Sequence, residues 1–299
     1  MTVKSKLAGA LGNGRLILTA ECLPPPSADP AAIRRLAAVL PASLDAVVVA
    51  DNPDEVGGSA LACAAILVAE GREPVLSLVT RDRNRIALES EVLGASALGI
   101  TGFLCLSGEH QSLGAAAAAA GAYDIDSIQL TQALKRMAEE GVDLVGRKLD
   151  APPSVLLGAA AHPYLRPMEL NLIRLRKKVR AGAQFLLTQA VFNLDGFTEW
   201  MEAVRAEGLE RQAAIIASVL PLAGVEKAKQ LQARKTYGPI GDDVVARLAR
   251  AADPAREGVA IAAEMAARLK AVPGVRGIHI LSGGCEASAA EVIKAAGLA

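Results

Sequence analysis

Short apolar runs alternate with amphipathic stretches along almost the whole chain. Eight runs stand out: Leu16–Glu21 (LILTAE), Asp45–Ala50 (DAVVVA), Pro74–Thr80 (PVLSLVT), Gly102–Ser107 (GFLCLS), Ser154–Ala161 (SVLLGAAA), Gln184–Gln189 (QFLLTQ), Ala213–Val219 (AAIIASV) and Gly277–Ser282 (GIHILS). Each is short enough for a strand and apolar on both faces, as a sheet covered by helices requires. Between them, 29–40, 59–70, 127–140, 168–181 and 224–234 carry helical periodicity, most opened by Ser, Asp or Gly and several closed by Gly. This βα repetition predicts parallel units, and eight of them predict a (β/α)8 TIM barrel. An open doubly wound sheet is the competing arrangement. It calls for a Gly-rich turn after the first strand, where this chain has LTAECLPPPS. Two stretches break the rhythm: the Ala-rich 107–122, read as a short helix or a lid, and 236–257, read as an extra helix pair.

A chain of 299 residues, 52% hydrophobic, suits one barrel occupying 1–299 as a single catalytic domain. The 32 basic and 32 acidic residues cancel, so no global field draws it to nucleic acid or a membrane, and at 3% aromatic content stacking platforms for single strands are scarce. The N-terminus lacks an apolar run of signal-peptide length, and no later segment reaches the ~20 apolar residues of a membrane span. A cytoplasmic protein with a small-molecule partner is expected. Cys22, Cys63, Cys105 and Cys285 are dispersed, without a C-x-x-C pair or zinc-ligand spacing, so they read as small apolar residues and no metal is expected.

Barrel active sites form at the carboxyl ends of the strands. Glu21 ends the first run beside three prolines, where desolvation would favour a protonated carboxyl able to act as a general acid; a solvated strand-end glutamate is the alternative. The fourth run ends in Ser107, Gly108, Glu109 and His110, a small-residue turn followed by titratable groups, with Glu109 placed to share a cavity with Glu21. His110 by itself reads as a surface histidine. Thr188 and Gln189 end the sixth run, and the glutamine amide offers donors and an acceptor to a heterocycle or to loop backbone. Arg174, Arg176, Lys177, Lys178 and Arg180 form a basic helix in which Arg174 and Lys178 share a face, suited to solvent or to a phosphate or flavin ring. His279, inside the last run, reads as a satisfied core histidine. No G-x-S-x-G, H-E-x-x-H or P-loop pattern occurs.

The segments TAECLPPPS, ADNPDEV, TRDRNRIALESEVLGASALGI, LSGEHQSLG, YDIDSIQL, GAAAHP, LRKKVRAGAQFLLTQAVFN and GIHILSGG resemble, in order, motifs of the methylenetetrahydrofolate reductase family, notably its bacterial branch with a G-D-H-Q-S-like fourth-strand loop. The resemblance runs from about Leu16 to Ser282. It implies hydride transfer through a bound flavin between 5,10-methylenetetrahydrofolate and 5-methyltetrahydrofolate, with Glu21 as the acid that protonates N10. It also implies Glu109 and Gln189 as pterin contacts, and Gly108, Asp124, Ala160, His162 and Lys178 as flavin contacts. Ser77 and Ser107 occupy flavin-contacting positions where better-known members carry a histidine and an arginine. Asn171 replaces an aspartate, and Val225 an aromatic that packs on the substrate. FAD stands ahead of FMN as the implied flavin, with flavin-free transfer from a nicotinamide left open and NAD(P)H as a candidate electron donor. The tetrahydrofolate substrate, a homo-oligomer and a partner subunit supplying electrons are the partners implied. The alternatives are a methyltransferase that passes the methyl group of methyltetrahydrofolate to a corrinoid, and a non-catalytic subunit of an electron-transfer complex.

Overall fold

The computed structural model describes residues 5–52, 56–114, 116–234 and 237–298. Pro53, Asp54 and Glu55 of the ADNPDEV segment, Ala115 of the alanine run and Thr236 lie outside the described residues. The chain runs α1 (Lys6–Asn13), β1 (Ile17–Cys22), α2 (Pro30–Val39), β2 (Ala46–Val49), α3 (Ala60–Ala69), β3 (Pro74–Val79), α4 (Arg85–Ala97), β4 (Gly102–Leu106) and α5 (Ser127–Glu139). It continues β5 (Leu156–Ala161), α6 (Met168–Ala181), β6 (Phe185–Ala190), α7 (Leu194–Ala206), β7 (Ala214–Val219), α8 (Val225–Arg234), α9 (Asp242–Arg250), α10 (Pro254–Leu269), β8 (Val275–Ile280) and α11 (Ser288–Ala295). The strands close in sequence order into a parallel barrel, β8 pairing with β1, which excludes the open sheet.

Alternation along each strand divides the apolar residues into two layers. Leu18, Ala20 and Cys22 of β1 join the layer between sheet and helices, which includes Leu67, Leu88, Phe197 and Trp200. Ile17, Val48, Val75, Leu104, Phe185 and Ile216 fill the barrel interior together with Leu7 and Ala10 of α1. Helix α1 therefore closes the amino end of the barrel. Glu73, just before β3, fixes it by accepting the Lys6 and Leu7 amides at 2.6 and 3.1 Å. Gly158 on β5 admits the Phe185 ring, whose nearest atom lies 2.2 Å from where a Cβ would stand. With one end plugged and the middle packed, the barrel leaves its cavity at the carboxyl ends.

Helix starts follow the expected chemistry. Asp126 and Gln129 form a reciprocal capping box on α5, and Asp253 caps α10 ahead of Pro254. The extra helices before β8 exist, but only α9 lies wholly within 236–257; α10 starts at Pro254 and continues to Leu269. Among its described residues the alanine-rich stretch forms no helix beyond a single 3-10 turn, Gln111–Leu113. Ala116–Ala120 are exposed, and with no apolar partner alanine propensity alone does not sustain so short a helix.

Candidate functional site

The carboxyl ends of the strands enclose a cavity of about 600 Å³, within the range of small-molecule sites. Of the residues singled out from sequence, Glu21, Ser77, Ser107, Gly108, Glu109, Ala160, His162, Lys178 and Gln189 line it. Asp124 does not. Its exposed carboxylate receives both the Nε and Nη2 of Arg85 at 2.8 Å, which hold it down at about 2, and it accepts the Arg85 amide at 3.0 Å.

Glu21 is set by the strand on its other side. Ser282, just beyond β8 and 3% exposed, donates both its amide and its hydroxyl to Glu21 Oε2 at 3.1 Å. The hydroxyl in turn accepts the Gly284 amide at 3.2 Å. Gln189 sits where the β6–β7 register shifts between Leu187 and Ala190. Ser218 closes that irregularity, donating its amide to Thr188 Oγ1 at 3.0 Å and its hydroxyl to the Thr188 carbonyl at 2.6 Å.

The basic helix divides between two surroundings. Arg174 and Lys178, on one face as their spacing predicts, line the cavity, whereas Arg176 pairs with Glu207, just beyond α7, at 3.0 Å. Lys178 Nζ donates to the Ala160 carbonyl at 2.5 Å. Burial, reinforced by the neighbouring Arg174 charge, lowers this amine to about 8. His162 is exposed, and its accessible surface opens on the cavity it lines. The surrounding protein and the Lys178 charge hold its imidazole at about 4, against a hydrogen bond with Gln189 that pulls upward. Asn171, buried in α6, donates to the carbonyls of His162 and Leu165 at 2.8 and 3.2 Å, so it shapes the loop after β5.

The opposite wall is built by residues to which sequence reading gave no role. Arg81, 9% exposed, donates to the backbone carbonyls of Glu109 and Asn52 at 3.2 and 2.9 Å, tying the loop after β4 to the one after β2. Gly108, at φ +78°, packs so closely on this wall that a Cβ would stand 2.6 Å from Val79 Cγ1. Asp51 accepts the Val79 amide at 3.1 Å and both terminal nitrogens of Arg83 at 2.5 and 3.1 Å. The TRDRNR segment was the available signal. From the far side of the mouth, Arg234 reaches the Leu113 carbonyl at 3.1 Å and approaches Glu109 to 3.8 Å.

Two readings change with the structure. Val225 does not line the cavity and instead packs with the small cluster around Leu222 and Leu231. His279 is buried as expected, but only half satisfied: Nδ1 lies 2.9 Å from Thr19 Oγ1, and no described residue bonds its other nitrogen. His110 is exposed, as a surface histidine should be.

A closed barrel with titratable groups gathered at its carboxyl mouth defines a barrel protein built around a small-molecule site. The family described as methylenetetrahydrofolate reductase matches residues 6–297, and the chain belongs to that family. Methylenetetrahydrofolate reductase 2 of Saccharomyces cerevisiae is 32% identical over 72 residues, a stretch covering 22% of this chain and 12% of that protein. A Clostridium thermocellum protein that binds two copies of 5-methyl-5,6,7,8-tetrahydrofolic acid shares the fold, with a TM-score of 0.68 and 16% identity over 99% of this chain and 100% of that one. The barrel of 2,3-dimethylmalate lyase is more distant, with a TM-score of 0.52 and 13% identity over 96% of this chain and 84% of that one. Among the described residues no helix is long and apolar enough to cross a membrane.

Proposed function

We propose that this protein interconverts 5,10-methylenetetrahydrofolate and 5-methyltetrahydrofolate by hydride transfer through a bound flavin, with Glu21 as general acid. The observation that carries the reading is the Glu21 carboxyl, anchored through one oxygen by Ser282 and opening on the same cavity as Gln189 and Glu109. Family membership and a folate-binding structural neighbour support the substrate class.

The residues present fit a flavin. Gly108, packed on Val79 and Arg81 where a Cβ would clash, presents bare backbone to the cavity, which lets a planar ring approach the loop after β4 closely. Ser77, Ser107, Ala160 and His162 supply neutral polar edges, and Lys178 with Arg174 a cationic side suited to ring carbonyls or phosphate. When bound in reduced form, the flavin supplies a hydride. Ser282 holds Oε2 in place, and the Glu21 carboxyl delivers the proton to N10 of the substrate. The C–N10 bond breaks, and the one-carbon unit is left as an iminium on N5 that accepts the hydride. Gln189 and Glu109 orient the pterin, and Arg81 holds the Glu109 backbone while they do so. NAD(P)H is the electron donor in this reading.

The test is the anaerobic visible spectrum of the purified protein and of its E21Q variant. In the wild type a flavin band should bleach on addition of 5-methyltetrahydrofolate. The flavin of E21Q should still bleach with a reduced nicotinamide, but once reduced it should not be reoxidised by 5,10-methylenetetrahydrofolate as the wild type's is. Folate turnover by E21Q at the wild-type rate would remove Glu21 from the mechanism. A protein with no flavin band after reconstitution with FAD or FMN points to direct nicotinamide transfer, or to methyl transfer to a corrinoid if that assay is positive.

A further inference from the structure

His279 lies on β8 one inward layer below Glu21, in register with Thr19 of β1 and Ser218 of β7. It is 3% exposed, and what it does expose lines the cavity floor among Val48, Leu104 and Leu187. Its single hydrogen bond joins Nδ1 to Thr19 Oγ1 at 2.9 Å, and among the described residues Nε2 has no partner. A ring nitrogen that has no protein partner and belongs to a residue lining the cavity is open to a bond from a bound molecule.

The chemistry of Thr19 decides which nitrogen holds the proton. Thr19 is 1% exposed, and its hydroxyl has no other acceptor among the described residues. With the proton on Nδ1, the buried hydroxyl hydrogen would have nowhere to go. With the hydroxyl donating to Nδ1, both groups are satisfied and the proton sits on Nε2. Burial also keeps the ring neutral, at about 3. A neutral N–H set among aliphatic side chains matches an uncharged acceptor on a flat ring rather than a phosphate or carboxylate.

We propose that His279 is a ligand-binding residue whose Nε2–H donates a hydrogen bond to a ring carbonyl of the heterocycle seated deepest in the barrel, Thr19 acting as the positioning residue that sets its tautomer. The inference rests on the folate and flavin reading of the cavity, since both ring systems carry such a carbonyl.

Ring ¹⁵N NMR of histidine-labelled protein without ligand tests the tautomer directly, because the chain has only 3 histidines. H279L identifies the resonance, and Thr19→Val, which keeps the imidazole, should shift it away from the Nε2–H form. An Nδ1–H form or an imidazolium at pH 7 overturns the proposal, whether or not any ligand binds. The second measurement compares binding of 5-methyltetrahydrofolate with a 4-amino folate, which presents an amine in place of the carbonyl. If the bond goes to the pterin, H279L should weaken the 4-oxo compound about tenfold and lose the discrimination. If instead flavin affinity falls about tenfold and discrimination is kept, the carbonyl is the flavin's. A folded H279L with neither change overturns the proposal. Failure of the wild type to bind either folate counts against the functional reading, and the tautomer and the flavin arm still decide His279.

Discussion

Ser282→Ala isolates the group that holds the proposed acid. The substitution removes the hydroxyl that donates to Glu21 Oε2 at 3.1 Å and leaves the Ser282 amide, which donates at the same distance. A hydrogen bond to a neutral carboxyl contributes about 1 kcal/mol, and a charge-assisted bond to a carboxylate roughly twice that. As Glu21 gives up its proton it moves from the first kind to the second, so the hydroxyl stabilises the transition state by about 1 kcal/mol more than the ground state. Only that difference speeds the chemistry. The expected loss is therefore about fivefold in the folate half-reaction. Stopped-flow absorbance can follow the return of the flavin band when the reduced protein meets 5,10-methylenetetrahydrofolate, and separately its bleaching by a reduced nicotinamide. The loss should fall on kcat rather than KM, and the nicotinamide half-reaction should be untouched. The fold should tolerate the change: the volume removed is one oxygen, and the exposed Gly284 amide that loses its acceptor can turn to water. An unchanged folate rate, a loss wholly in KM, or an equal loss in both half-reactions would refute the reasoning.

Lys178 makes a pH prediction. Its amine is near 8 in the folded protein against an ordinary 10.5, so between those values the unfolded chain holds a proton that the folded one has released. Stability should rise with pH across that window, and denaturant titration of Lys178→Met should show a smaller rise; a variant with the wild-type slope contradicts it. Asp51→Asn should lower stability by about 3 kcal/mol in the same assay, because it breaks a buried pair with Arg83; the figure is at the low end because Glu91 still faces Arg83 at 3.0 Å. A cost below about 1 kcal/mol would mean that solvent or Glu91 replaces the bond.

The candidate site was legible wherever a residue stands at a strand end. Glu21, Glu109 and Gln189 follow from counting apolar runs, and the spacing of Arg174 and Lys178 foretold a shared face. Asp124 and Val225 mark where position along the chain ran out. Asp124 lies in the loop leading to α5, and only the folded loop brings it to Arg85. Val225 opens α8, and the rotation of that helix, set by packing against Leu222, Leu231 and their neighbours, turns it from the cavity. Arg81 and Asp51 were hidden for another reason. Charged residues just beyond apolar runs normally read as solvated, and their burial depends on two neighbouring loops closing over them.

By itself the sequence determined the alternating βα units, favoured eight of them closing into a barrel over an open sheet and placed the site at the carboxyl ends of the strands, because those depend on local alternation and on the short connections it allows. The tertiary structure decided which side chains act together. Ser282 meets Glu21 across 261 positions of chain and His279 meets Thr19 across 260, pairs made neighbours only by closure of β8 on β1. The half-satisfied state of His279 belongs to the same class of fact. Periodicity tells that a histidine is buried, but whether each nitrogen finds a partner depends on atoms contributed by strands far apart in the chain.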